Sequence, residues 1–152
     1  MGKNLKLKIE DTTLYVPLDF ELTTNNAPDL KDQLSQYRGQ DIRKIVFDAT
    51  DLVFISSSGI RVIIFASREL GNHPVIVFLN TAKEICEAFE LTGIRNFIQF
   101  EEDGRQKARP DNAADDDEWQ RKLEETKQKQ LDYFAANNDV VAYQMKLRQE
   151  ED

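Results

Sequence analysis

The sequence predicts an α/β domain: a mostly parallel sheet of about four to five strands with an N-terminal antiparallel edge hairpin, helices between strands, and a C-terminal helical extension. Three observations carry that expectation. Through the first hundred residues, apolar runs of strand length alternate with longer segments whose apolar residues recur at helical spacing. The first two runs flank a short polar turn, Glu10-Asp11-Thr12-Thr13, that pairs them as a hairpin. After Phe100 the composition turns polar and acidic.

Leu5 to Ile9 alternates apolar residues with lysine, the mark of a strand with one wet face, and the lysines would guard an exposed edge. Leu14 to Leu18 is the second strand. Asn25 and Asn26 then offer a helix cap, Pro28 suits the first turn, and Asp29 lies near the positive end of the helix dipole. Leu30, Leu34 and Tyr37 share a face before Gly39 ends the helix. Lys44 to Asp48 is the next strand, and a crossing loop leads to a second hydrophobic step, Val53-Phe54-Ile55.

Ser56, Ser57, Ser58 and Gly59 open the following helix, which runs from Ser57 to Leu70. The hydroxyls sit where the unpaired N–H groups of a helix start need acceptors, so one serine is expected to be a cap. That role does not account for three. Ile60, Ile63, Ile64 and Phe65 make this the most deeply packed helix, with Arg61 and Arg68 on its wet side. Val75 to Leu79 is continuously apolar, as a central strand requires. Asn80 or Thr81 is expected to cap a helix with Ile85, Phe89 and Cys86 inward. Gly93 ends it, and Phe97 to Phe100 gives the last strand. Right-handed crossovers would gather the strand-end loops, including Ser56 to Ser58, onto one functional rim.

Glu101 to Asp117 has almost no apolar side chain beyond alanine and reads as a mobile linker. Trp119, Leu123, Leu131 and Phe134 follow at helix-compatible spacing, and beyond Asn137-Asn138 a second amphipathic piece carries Val140, Tyr143 and Leu147. This stripe would either cover the domain's own surface or mediate self-association through the C-terminal helices.

Charge narrows the function. Of a net charge of −8, residues 1–100 contribute 13 acidic and 11 basic side chains and residues 101–152 contribute 15 and 9, so the excess belongs to the tail. Such a balance argues against nucleic acid and anionic lipid as partners. One cysteine excludes an internal disulfide, and the apolar runs are too short to span a bilayer, so a soluble cytoplasmic protein is expected. Catalysis finds little footing. His73 is the only histidine and lies in a turn, Asp48 and Asp51 read as structural caps, and Cys86 reads as core. No phosphate loop or metal-ligand spacing occurs, so the expectation is a non-enzyme with no cofactor and no metal.

The stretch DATDLVFISSSGIRVIIFASREL closely resembles the STAS domain of bacterial anti-sigma-factor antagonists and sulfate transporters. LYVPLDFEL upstream and NTAKEICEAFELTGIRNFIQF downstream are similar to further family segments in the right order. The resemblance implies a STAS domain over residues 1–102, with 103–152 as an acidic linker and amphipathic tail. It implies an anti-sigma-factor antagonist that sequesters an anti-sigma factor acting also as its serine kinase, reversed by a serine phosphatase. By that match the phosphorylated residue is Ser57, with Ser56 and Ser58 as alternatives. The partner-binding rim comprises Thr23, Thr24, Asn25, Ser56, Ser57, Ser58, Gly59 and Arg61. Two positions depart from the family pattern: Ser56 replaces an aspartate before the serine, and Phe20-Glu21-Leu22-Thr23 replaces Gly-x-Leu-Asp. The runner-up is a STAS adaptor subunit of a lipid or anion transporter complex whose serines only cap the helix.

Overall fold

A computed structural model describes residues 6–105 and 117–133. Its main sheet has five strands in the order β1-β2-β4-β6-β7: β1 Lys8–Glu10, β2 Thr13–Pro17, β4 Lys44–Asp48, β6 Val75–Leu79 and β7 Ile98–Glu101. The β1–β2 pair is antiparallel and every other pair is parallel, as the alternation of strands and helices predicts. Three helices lie between strands: α1 Ala27–Ser35, α2 Ser57–Glu69 and α3 Lys83–Thr92. A fourth, α4, spans residues 117–133.

Register explains the core. Leu14, Ile45, Ile76 and Ile98 lie side by side across four strands, and Val16, Phe47, Phe78 and Phe100 form the next row on the same face. All of these but Phe100, which is half-buried and packs against them, share one buried cluster with Leu30 and Leu34 of α1, Ile60 and Ile63 of α2 and Phe89 of α3. Phe47 stacks on Phe78 at 5.1 Å between ring centres, and Phe89 meets Phe78 edge-on at 5.0 Å. Gly71, at φ +57°, ends the α2 turn where a Cβ would collide with the Ile42 carbonyl.

Several local expectations are corrected. Leu5 lies outside the described residues, and the β1 ladder begins at Lys8. The step after the crossing loop is a true strand: β5, Phe54–Ile55, pairs in parallel with β3, Glu21–Leu22, as a separate small sheet. Asn26 occupies the N-cap position of α1 without capping it. Its Oδ1 accepts the Thr23 N–H at 2.8 Å and its Nδ2 donates to the Glu21 carbonyl at 2.7 Å, fastening the β3–α1 turn instead. Neither Asn80 nor Thr81 caps α3, whose N-cap is Ala82. Asn80 sits at φ +57° and turns its amide to Thr50 and Asp103.

The tail stripe also differs. Trp119 and Leu123 face inward as expected, but Leu131 is exposed, and the inward face continues through buried Thr126 and Gln130 and half-buried Tyr133. The spacing 119, 123, 126, 130, 133 is one helical face in which two positions are polar. Phe134, Val140, Tyr143 and Leu147 lie outside the described residues.

Candidate functional site

Two short strands prepare the turn that opens α2. The Phe54 and Ser56 N–H groups of the β5 segment donate to the Phe20 and Leu22 carbonyls, so the intervening Ile55 N–H points away from β3. A strand edge that is buried needs an acceptor there. Gln130 of α4 supplies it: its Oε1 accepts from Ile55 N at 2.6 Å, and both residues are fully buried.

The three serines divide the work at the helix start. Ser56 is the cap, with extended backbone at φ −96° and ψ 175° and Oγ accepting from Gly59 N at 3.4 Å. Ser57 turns to the tail, its N–H donating to Tyr133 Oη at 3.2 Å and its Oγ sharing a hydroxyl bond with the same oxygen at 3.0 Å. Ser58 turns the other way, its Oγ bonding Thr24 Oγ1 at 3.0 Å. Gly59 lets α2 approach the small sheet. A Cβ there would lie 2.7 Å from Ile55 Cγ1 and 2.8 Å from the Leu22 carbonyl oxygen.

The expected rim residues therefore fall on two sides of the α2 start. Thr24, Ser58 and Arg61 border a groove of about 570 Å³ between α1 and α2, with Lys31 and Phe65 in its wall. Lys31 Nζ lies 5.0 Å from the Phe65 ring centre, a cation–π contact beside the serines. Asn25 is exposed in the same loop, its N–H donating to Thr23 Oγ1 at 3.2 Å. Ser56 and Gly59 are buried and position the turn. Ser57 lies on the other side, beneath α4.

Trp119 and Leu123 pack with Val53 and Phe20 in a cluster separate from the main core. The Phe20 and Trp119 rings are 5.9 Å apart, and Tyr133 meets Phe54 edge-on at 5.5 Å. Lys122 and Lys129 cover the Phe20 and Phe54 rings at 5.1 and 4.8 Å. Sequence reasoning missed the roles of Gln130 and Tyr133. The only available signal was the heptad-like recurrence of positions, because the residue types at 126 and 130 are polar.

A second polar cluster lies at the ends of β4, β6 and β7. Asp48 accepts from Thr50 N at 3.1 Å and Thr50 Oγ1 at 2.6 Å and pairs with Arg105 at 2.9 Å. Asp103 pairs with the same guanidinium at 2.9 Å and accepts from Asn80 Nδ2 at 2.8 Å. The Asn80 amide, followed by the Arg105 backbone N–H and guanidinium, holds the Asp103 carboxyl below the ordinary range for aspartate, despite opposing desolvation. Asp48 thus braces a turn, holding both the N–H and the hydroxyl of Thr50. Burial pushes the Cys86 thiol up, which disfavours the reactive thiolate. Among the described residues no group of three metal-ligating side chains converges, and no helix is long and apolar enough to cross a membrane.

Solved structures share this fold. The anti-sigma factor antagonist SpoIIAA in its unphosphorylated form is 20% identical, with a TM-score of 0.54 and coverage of 63% of this chain and 86% of that one. An anti-sigma factor antagonist from Mycobacterium paratuberculosis is 16% identical, with a TM-score of 0.56 over 64% and 84% of the two chains. The Bacillus cell fate determinant SpoIIAA in its phosphorylated form is 20% identical, with a TM-score of 0.50 over 63% and 89%. At such identities the likeness is one of fold. The sequence itself matches the STAS domain over residues 4–106, more than half of its length, and with the serine-opened α2 on a five-stranded sheet this chain belongs to the STAS-domain family.

Proposed function

We propose that this chain is an anti-sigma factor antagonist, a binding module whose rim around the α2 start covers an anti-sigma factor. Phosphorylation of Ser57 switches that binding. The anti-sigma factor is the serine kinase that adds the phosphate, and a serine phosphatase removes it. The observation that carries this reading is the division of labour among the serines. Because Ser56 caps α2, Ser57 can be modified without loss of the cap. Ser56 stands where the family has aspartate, and the two residue types cap helices about equally well, so this departure preserves the turn.

A phosphate on Ser57 would stand in the first turn of α2, where backbone N–H groups and the helix dipole favour an anion. The start of α2 therefore tolerates it. A partner surface matched to a neutral hydroxyl does not, because phosphorylation adds about −1.5 to −2 charges at one atom. That a neighbour of the same fold has been solved in both phosphorylated and unphosphorylated forms supports the reading.

Affinity purification from the native host with full-chain wild-type and Ser57→Asp baits, followed by mass spectrometry, tests it. Wild type should recover a soluble ATPase-type kinase, and the aspartate bait should recover about tenfold less, equivalent to about 1.4 kcal/mol of binding. Equal recovery of that kinase refutes the switch. Equal recovery of a membrane transporter subunit by both baits makes the chain an adaptor whose serines are structural.

A further inference from the structure

The face beside Ser57 has three features that a bound segment must satisfy together: the outward Ile55 N–H of β5, the apolar patch of Phe20, Val53 and Phe54, and the Ser57 hydroxyl with its N–H. Helix α4 meets all three. Gln130 Oε1 takes the strand-edge donor at 2.6 Å, Trp119 and Leu123 fill the apolar patch, and Tyr133 Oη sits between Ser57 N and Oγ at 3.2 and 3.0 Å. Gln130 reaches this edge although its own Nε2 is buried without a partner. A surface helix that buries a glutamine in this way is matched to a particular acceptor requirement rather than to general apolar burial.

We propose that this face is a helix-docking surface occupied in cis by α4, and that α4 is a built-in competitor of the partner, latched through Tyr133 to Ser57. The inference rests on the proposed switch at Ser57 for its biological sense. The partner segment that displaces α4 then has a stated chemistry. It is an amphipathic helix offering one amide or carbonyl acceptor to Ile55 N–H, one aromatic residue toward Phe54 and Val53, and an uncharged hydrogen-bonding group toward Ser57.

Charge on Ser57 acts on cis and trans occupants alike. The Ser57 and Tyr133 oxygens are 3.0 Å apart, which leaves no room for a phosphoryl group between them. An anion on Ser57 also takes over the α2 N–H groups, including the one that now donates to Tyr133. On α4, Asp132 and Glu125 line a surface patch with Tyr133, and Lys129 of the same patch is engaged over Phe54. The geometry therefore makes negative charge at Ser57 the signal that lifts α4.

Trp119 is the chain's only tryptophan and is buried against Phe20, so it reports the docking of α4 without a label. The test compares full-chain wild type, Ser57→Asp, Ser57→Ala and Tyr133→Phe by acrylamide quenching of Trp119 and by amide hydrogen exchange. Protection of the β4 amides serves as the control for an intact fold. Ser57→Asp should expose Trp119 and speed exchange at Ile55 N–H by about ten- to a hundredfold, the equivalent of losing one or two hydrogen bonds, whereas Ser57→Ala should keep Trp119 shielded. Tyr133→Phe should speed exchange at Ser57 N–H while leaving the β4 amides slow. A folded Ser57→Asp protein with Trp119 still shielded and Ile55 as slow as in wild type overturns the proposal, and so does an unchanged Ser57 amide in Tyr133→Phe. No partner enters these measurements. A chain that opens on Ser57→Asp yet recovers no anti-sigma factor supports the cover and refutes only the proposed function.

Discussion

Gly59→Ala sets two physical effects of opposite sign against each other. In an exposed helix, replacing glycine by alanine stabilises by about 1 kcal/mol, because the unfolded chain loses conformational freedom. At position 59 the added Cβ meets Ile55 Cγ1 at 2.7 Å, the Leu22 carbonyl oxygen at 2.8 Å and Leu22 Cγ at 2.9 Å. One of these is backbone in the β3–β5 pair and cannot turn aside, since the Ser56 N–H is bonded to that same carbonyl at 2.9 Å. Overpacking of this kind costs about 1–3 kcal/mol, and three simultaneous close approaches place it near the upper end. The net is a loss of about 2 kcal/mol. For a domain of ~100 residues that is a fall in Tm of about 8–16 °C. Thermal unfolding of the full chain, followed by far-ultraviolet circular dichroism, measures it. A Tm equal to or above wild type would show that α2 and the small sheet are not in the contact described, and the placement of Ser57 and Ser58 would fall with it.

Two further outcomes follow from the site. Ser56→Ala should cost about 1 kcal/mol in urea unfolding through loss of the α2 cap, whereas Ser58→Ala, which loses only an exposed hydroxyl bond to Thr24, should stay within about 0.5 kcal/mol of wild type; equal losses would contradict the assignment of Ser56 as the cap. Asp103 has its carboxyl pKa depressed, first by Asn80, so it contributes stability above the unfolded aspartate value of about 3.9, and that stability is lost as pH falls through the lower folded value. The urea midpoint should accordingly drop less between pH 7 and pH 3 in Asp103→Asn than in wild type, and an identical drop would remove Asp103 from the acid response.

The order of strands and helices was legible in the sequence because the signals that specify it are local. LKLKI and KIVFD carry strand patterns, the α2 segment carries a helical one, and Gly71 and Gly93 mark helix ends where positive φ is required, whereas α1 already stops at Ser35, a turn before Gly39. The serine turn was legible too, since a helix start needs acceptors and three hydroxyls in succession exceed that need. Which serine does what was not legible. Ser56, Ser57 and Ser58 are alike as residues, and their roles depend on Leu22, Thr24 and Tyr133, the last of them 76 positions away. The β3–β5 pair escaped notice because two-residue strands are too short to show a period. The inward face of α4 was misread at Leu131 because apolarity was taken as the sign of burial. By itself, the sequence determined an α/β chain with a serine-opened helix at a strand end. Only the tertiary structure decided that a polar Gln130 is buried, because the Ile55 N–H on the open edge of β5 needs an acceptor once it is shut away from water.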